Sequence, residues 1–391
     1  MFLPARAADL EKRTMAETPD VIVIGLGVMG SSTAYTLAKR GLRVLGIDAL
    51  APGHNRGSSH GESRIIRQAY HEAPDYVPLI QRSYALWREL EAESNRKLLW
   101  QNGGLIIGSP DGRTVVGTIK SGQMYNLPYE LLSPAEVGKR HPGVRLPDDL
   151  VAVLEPQAGF VLAAETVRTF QELAKANGAA LHFDEPVLSW STNGDGVTVT
   201  TGKGSYQANR LVIAAGPWSS SVLADLGLPL EVQRVPNAHF LSERYDHFNS
   251  EKSTVFSLLV PEGHYYAIPG PEKIGFKIGR HDSLPSVSAD DVQPAVTEDE
   301  ITMFRRVMDR YLPGSSGPVA AALTCLYTMT PDKHFILDRH PEHEQVVIAC
   351  GFSGHGFKFA PVVGEVLSDL TIDGQTDHPI GFLRASRFLA H

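Results

Sequence analysis

The chain has 391 residues, of which 42% are hydrophobic and 20% charged, and its formal net charge is −8. That length accommodates about two or three domains with ample core, while the acidic balance, with no run of Lys or Arg, argues against nucleic acid as a partner. Two cysteines, Cys325 and Cys350, exclude a disulfide framework and fit a reducing compartment, and the absence of a long apolar run leaves nothing to span a bilayer, so a cytoplasmic protein without membrane contact is expected.

Residues 1–18 are broken by charges at Arg6, Asp9, Glu11, Lys12, Arg13 and Glu17. They hold no apolar stretch of the signal-peptide kind and read as a loose extension. Val21 to Ile24 is a short apolar run of the sort found in a strand buried on both faces. Glycines 25, 27 and 30 follow, then a helix over 31–40 closed by Gly41, then a strand from Arg43 to Asp48. This β-α-β order opens a doubly wound domain. Helices are expected over 75–95 and 164–177, the first with Tyr76, Leu79, Ile80, Tyr84 and Trp87 at helical spacing as helix core, with partial exposure of Trp87 left open. From Val187 to Ala208, short alternating strands divided by Asn193-Gly194 and Gly202-Lys203-Gly204 read as a meander. Residues 211–215 and 346–350 give two more buried strands, the second leading through Phe352-Ser353-Gly354-His355-Gly356 into a helix that reaches Leu370.

These buried strands lie far apart in the chain. A single sheet that holds them makes the first domain discontinuous. The expected class is α/β, with a Rossmann-like domain from 19–96, 151–222 and 323–391, and an α+β second layer from 97–150 and 223–322.

Gly25, Gly27 and Gly30 have the G-x-G-x-x-G spacing. The first permits a tight turn, the second lets the backbone approach a pyrophosphate, and the third lets the helix pack on its strand. The helix then points its positive end at the phosphates, and Asp48 closes the next strand where an acid would bond a ribose hydroxyl. FAD and NAD both use such a unit; the meander and the strand leading to Gly216 favour FAD.

Lys358 sits at or just before a helix N-terminus, with Pro361 at an early helical position. A cation is misplaced there unless it points to solvent or an anion lies beside it. Its neighbours Phe357 and Phe359 favour the anion. The segment is no hydrolase elbow, since that motif needs glycine at position 355, which is histidine. Were 275–281 a strand, Lys277, Gly279 and His281 would share one face and Phe276 and Ile278 the other.

Several segments together resemble the monomeric sarcosine oxidase and N-methyltryptophan oxidase family of FAD-dependent amine oxidases. They are Gly-Ser-Ser-His-Gly-Glu-Ser-Arg-Ile-Ile-Arg at 57–67 with Tyr70 and Glu72, Gly-Phe-Lys-Ile-Gly-Arg-His at 275–281, Cys325-Leu326-Tyr327, and Gly-Phe-Ser-Gly-His-Gly-Phe-Lys-Phe at 351–359. The resemblance runs in order from about Asp20 to Phe388. It implies a flavin fold of two interleaved domains, FAD linked to a cysteine, and oxidation of an N-methyl amino acid to an imine with O2 reduced to hydrogen peroxide. By the same resemblance Arg64 and Lys358 match the pair that clamps the substrate carboxylate. Lys277 matches the oxygen-activating lysine, Tyr266, Tyr327 and His281 match the substrate cavity, and Cys325 matches the flavin-linking cysteine. His60, Arg67, Gly354 and Gly356 join the glycine turn and Asp48 as expected cofactor contacts, Arg67 either pairing with Glu72 or touching the flavin. A monomer is expected.

The chain also departs from the family. Ser59-His60 stands where two histidines are frequent, Ser257 occupies a position that is apolar in well-known members, and 240–256 and 283–300 match poorly. Cys350 reads as core. His340-Pro341-Glu342-His343 reads as a surface turn lacking further ligands, and no metal is expected. Two other readings compete with an oxidase of sarcosine or a similar amino acid. One is an oxidase of a cyclic or sugar-bearing secondary amine such as pipecolate or a fructosyl amino acid, and the other is a non-catalytic FAD-binding module.

Overall fold

The computed structural model describes residues 18–282, 284–291 and 293–389. All but the last residue of the expected extension over 1–18 lies outside these. Strand Val21–Ile24 is buried at every position, and its side chains alternate between two cores. Val21 and Val23 pack beneath helices, while Ile22 and Ile24 pack with Val197 and Val199 of the meander. The six-stranded sheet runs Ile336–Arg339, Val346–Cys350, Arg210–Ile213, Val21–Ile24, Val44–Ile47, Ala180–His182. All neighbours are parallel except the edge strand Ile336–Arg339. Helix Val28–Lys39 packs against both Ala163–Ala176 and Ala360–Ile372, and Val77–Ser94 packs on the latter.

Two expectations change, and a point left open is settled. The first helix begins at Val28 rather than Ser31, because Gly27 is the extended N-cap and the chain turns helical directly after it. Gly30 therefore lies in the first helical turn. Trp87, read as core with partial exposure left open, is fully buried, and its indole N–H donates to the Lys358 carbonyl at 3.0 Å. Strand Val151–Glu155, expected in the nucleotide domain, pairs instead with Gly104–Gly108 and Glu130–Leu132.

Those strands belong to an eight-stranded sheet in the order Val319–Met329, Glu231–Phe240, Phe276–Arg280, Gly263–Ile268, Val255–Val260, Gly104–Gly108, Val151–Glu155, Glu130–Leu132. One face closes a core with helix Glu298–Tyr311, and alternate residues fill it: Phe256 and Leu258, Tyr265 and Ala267, Phe276 and Ile278. The residues between them, Ser257, Tyr266 and Lys277, take the opposite face by the two-residue period of a strand. The meander forms its own three-stranded sheet, Val187–Asn193, Gly196–Thr201 and Gly204–Ala208.

Candidate active site

A cavity of about 1090 Å³ runs from the glycine turn after the first strand to the polar face of the eight-stranded sheet. That exceeds the roughly 300–1,000 Å³ of ordinary small-molecule pockets. At the glycine end, Gly25 has φ +88°, and a Cβ there would lie 2.5 Å from the Ala214 oxygen. A Cβ on Gly30 would lie 1.8 Å from the Gly25 oxygen, so only glycine lets the helix sit so close. At Gly27 a Cβ would meet only the Ser59 hydroxyl, at 3.2 Å, so the surface toward the cavity is smooth backbone. The helix has no acidic residue in its first turn, which leaves its positive end free for a phosphate. Asp48 lines the cavity and accepts from the Leu26 amide at 2.7 Å and the Leu50 amide at 2.9 Å. These features fit a dinucleotide.

The second glycine turn lies along the same cavity. Gly351, Ser353 and Gly354 all have positive φ. A Cβ on Gly354 would lie 2.4 Å from the Tyr327 ring, and one on Gly356 would lie 2.5 Å from the Phe352 ring. Lys358 follows in a short 3₁₀ turn, Phe357–Phe359, just before helix Ala360–Ile372. It does not point to solvent. It is buried, its Nζ donates to the His355 carbonyl at 2.8 Å, and it lies 5.4 Å from the Tyr70 ring centroid. Burial first, and then the charge of Arg67, push its pKa down to about 7.

Arg67 stands over the other contact of that ring, 4.2 Å from the Tyr70 centroid, with both Glu72 carboxylate oxygens on its guanidinium at 2.7 and 2.6 Å. Arg64 is held elsewhere. Its guanidinium donates to the Ser63, Ser58 and His60 carbonyls and approaches Cys325 Sγ at 3.6 Å. The structure thus places Arg67, rather than the expected Arg64, in the charged cluster of Lys358. The reason is strand register. Arg64 is in strand Ser63–Ile66, and the loop beyond this strand carries Arg67 to the other end of the turn.

Beneath Arg64 lie Cys325, Lys277 and Tyr266. Cys325 is buried and also receives the Asn237 amide at 3.8 Å. Burial alone would raise its pKa, but Arg64, His60 and Lys277 bring it down to about 6, which favours thiolate. Lys277 lies under the cavity floor rather than on it. Its Nζ donates to the Ser63 carbonyl at 3.0 Å and sits 5.7 Å from the Tyr266 ring centroid. Burial, with Arg64 adding to it, lowers its pKa to about 7. An edge strand showing this lysine to water is excluded, since its strand is paired on both sides. His60 lines the cavity, and among the described residues its Nε2 has no partner.

His281 stands one residue beyond the strand, with Nδ1 3.2 Å from the Tyr327 hydroxyl. Burial lowers its pKa to about 3. Sequence reasoning passed over His264 and His71, which line the same wall. His264 lies two residues before Tyr266 on one strand, so the two-residue period was the signal. His71 had no such signal, because it lies in a loop.

Cys350 is core, buried with its pKa pushed up to about 12. The turn at His340 and His343 gains a third candidate ligand that sequence did not show. Asp225 brings its carboxylate within 4.8 Å of both imidazoles. His340 Nε2 and Asp225 Oδ2 are themselves hydrogen-bonded at 2.8 Å, and His340 Nδ1 accepts from the Glu342 amide at 3.2 Å, so the pair is pinned as it stands. Among the described residues, no helix is long and apolar enough to cross a membrane.

Residues 20–370 match the family described as FAD dependent oxidoreductase. The chain is 41% identical to the monomeric sarcosine oxidase of Streptomyces avermitilis, covering 96% of this chain and 99% of that one. It is 34% identical to the N-methyl-L-tryptophan oxidase of Salmonella heidelberg, covering 94% and 99%. Among solved structures, the unusual amino acid oxidase NikD superposes with a TM-score of 0.83 at 26% identity, covering 94% of this chain and 98% of that one. The L-proline dehydrogenase of P. horikoshii superposes with a TM-score of 0.81 at 25% identity, covering 95% and 98%. The glycine turn shaped for a dinucleotide agrees with this match, and the chain belongs to the FAD-dependent oxidoreductase family.

Proposed function

We propose that this enzyme oxidises sarcosine or a similar N-methyl amino acid to its imine, which water then converts to the amine and formaldehyde, with O2 reduced to H2O2. The observation that carries the reading is Lys358, a buried cation on the cavity wall whose Nζ has a carbonyl but, among the described residues, no carboxylate. A substrate carboxylate would supply the missing anion. The sarcosine and N-methyltryptophan oxidases among the relatives support the same substrate class.

FAD, when bound, supplies the two-electron acceptor for the amine and the donor to O2. Gly25, Gly27, Gly30 and Asp48 would hold its nucleotide half, and Gly354, Gly356, His60 and Arg64 would border the half nearer Cys325. Cys325, its thiol held toward thiolate by Arg64, His60 and Lys277, would be the residue to anchor the flavin end of the cofactor. Lys358 and Arg67 orient the carboxylate, with Arg67 sharing its guanidinium between Glu72 and the substrate. Tyr266, Tyr327 and His281 shape the wall and keep water out. Lys277 places a positive charge under the floor, where it stabilises negative charge growing on oxygen. We read the protein as a cytoplasmic monomer, in keeping with two free, buried cysteines.

The test is peroxide release by the purified yellow protein from a panel of sarcosine, larger N-methyl amino acids, pipecolate and fructosyl amino acids. Peroxide from the N-methyl compounds is expected. Colourless protein, or yellow protein that yields peroxide from none of them, overturns the reading.

A further inference from the structure

The cavity wall beside Tyr327 is more polar than an N-methyl group or an alkyl side chain needs. Strands Val255–Val260 and Gly263–Ile268 set Ser257 directly beside Tyr266 in register. The Ser257 hydroxyl meets His264 Nε2 at 3.1 Å. The His264 ring stands edge-on to His281 at 5.0 Å, and His71 follows at 6.2 Å. Ser257, His264, His281 and His71 all line the cavity.

These rings are neutral at physiological pH. Burial first, and then the charges of His281 and Arg113, lower His264 to about 3. Burial likewise lowers His281 to about 3. A neutral imidazole keeps one N–H donor and one acceptor. His281 gives Nδ1 to Tyr327 and His264 gives Nε2 to Ser257, so, among the described residues, each of these cavity-lining rings keeps a second nitrogen with no protein hydrogen bond, and His71 Nδ1 is buried without one. Leaving such a group without a partner once a ligand has displaced water carries a desolvation cost. A ligand that completes the bonds recovers it. Ser257 and the two neutral rings carry no charge themselves, so an uncharged partner suits them, while Arg67, Glu72 and Lys358 elsewhere along the cavity leave the charged end of the substrate to be held there.

We infer that Ser257, His264 and His281 form a subsite for an uncharged hydrogen-bonding group, a hydroxyl or a carboxamide, carried by the amino-acid substrate. This rests on the N-methyl amino acid reading above and narrows it to substrates with a polar side chain. A site built to bond a hydroxyl or amide rejects the analogue that lacks it far more strongly than an apolar pocket rejects an extra methyl.

The experiment compares shape-matched pairs. Turnover is measured as oxygen uptake with N-methylthreonine against N-methylvaline, and N-methylasparagine against N-methylleucine. Binding without turnover is measured from the change in the flavin spectrum with 3-hydroxybutyrate against isovalerate. The polar member of each pair is expected to lead by at least about tenfold in kcat/KM and in affinity. In Ser257→Ala and His264→Leu, each still yellow, both ratios should fall to within about threefold of one. Equal or reversed preference in the wild type, with oxidation intact, overturns the subsite and leaves the functional reading standing. A binding preference with no oxidation of any amine supports the subsite and overturns the functional reading. Preferences that survive both substitutions overturn the assignment to these residues.

Discussion

Lys277 and Lys358 are both buried lysines with pKa values near 7, yet their surroundings set them different tasks. Lys277 lies under the floor that Arg64 and Cys325 line, and Lys358 lies with Arg67 and Glu72 in the wall. Lys277→Met keeps bulk and removes the charge. It should slow reoxidation of the reduced enzyme by O2 by more than about tenfold, with a smaller effect on anaerobic reduction by substrate; stopped-flow absorbance separates the two. Equal slowing of both would make Lys277 a substrate-binding or structural residue. In the wild type the same step should slow as pH rises through about 7, because the lysine is charged below that value and neutral above it. Acetate binding should weaken over the same range, since an anion is held by the charged form of Lys358. Removing one member of a desolvated charged set costs about 2–5 kcal/mol, so Arg67→Ala should weaken acetate by well over tenfold. Arg64→Ala should weaken it less; the opposite order would restore Arg64 to the clamp. The sequence pointed to Lys358 as a cation in want of an anion, because its flanking phenylalanines argued against a solvated stretch, and the lysine is indeed buried. It could not separate Arg64 from Arg67, three residues apart, since their division depends on where the strand ends.

At the scale of elements, helix Val77–Ser94 sets the height of the second glycine turn. Ser83 Oγ donates to the Lys358 carbonyl at 2.7 Å and Trp87 Nε1 donates to it at 3.0 Å. Trp87→Phe should cost about 1 kcal/mol or more in stability through the lost bond. By loosening Lys358 it should raise KM for the substrate more than it lowers kcat. Thermal melts and steady-state kinetics report the two effects, and an unchanged KM would mean the Ser83 bond alone suffices. The helix and its core face were legible from their apolar spacing; how deeply Trp87 is buried was left open, because the indole N–H finds its partner 271 positions away. Residues 151–155 fell on the wrong side of the expected domain boundary for a related reason. A buried apolar run reads alike in either sheet, and only pairing with Gly104–Gly108 distinguishes them. The first β-α-β unit, by contrast, was readable nearly to the residue, since its glycines answer to steric contacts within a few ångströms of one another.

On the scale of the molecule, one sheet carries the nucleotide turn, the other carries the polar floor, and the cavity between them is walled by both. Cys325 sits on the strand Val319–Met329 at the edge of the second sheet, facing the first. If it anchors FAD, acid precipitation should leave the colour in the pellet, and Cys325→Ala should release it to the supernatant. Colour retained by that variant would place the attachment elsewhere. The central claim is that one cavity first takes electrons from an N-methyl amino acid and then gives them to O2. The most direct measurement is an anaerobic titration of the yellow enzyme with sarcosine or a larger N-methyl amino acid, followed by admission of air. The account predicts that the visible flavin band bleaches on titration and returns with air, with one H2O2 formed for each substrate oxidised. A band that stays unbleached while acetate still perturbs it, or bleaching followed by no peroxide, would contradict it.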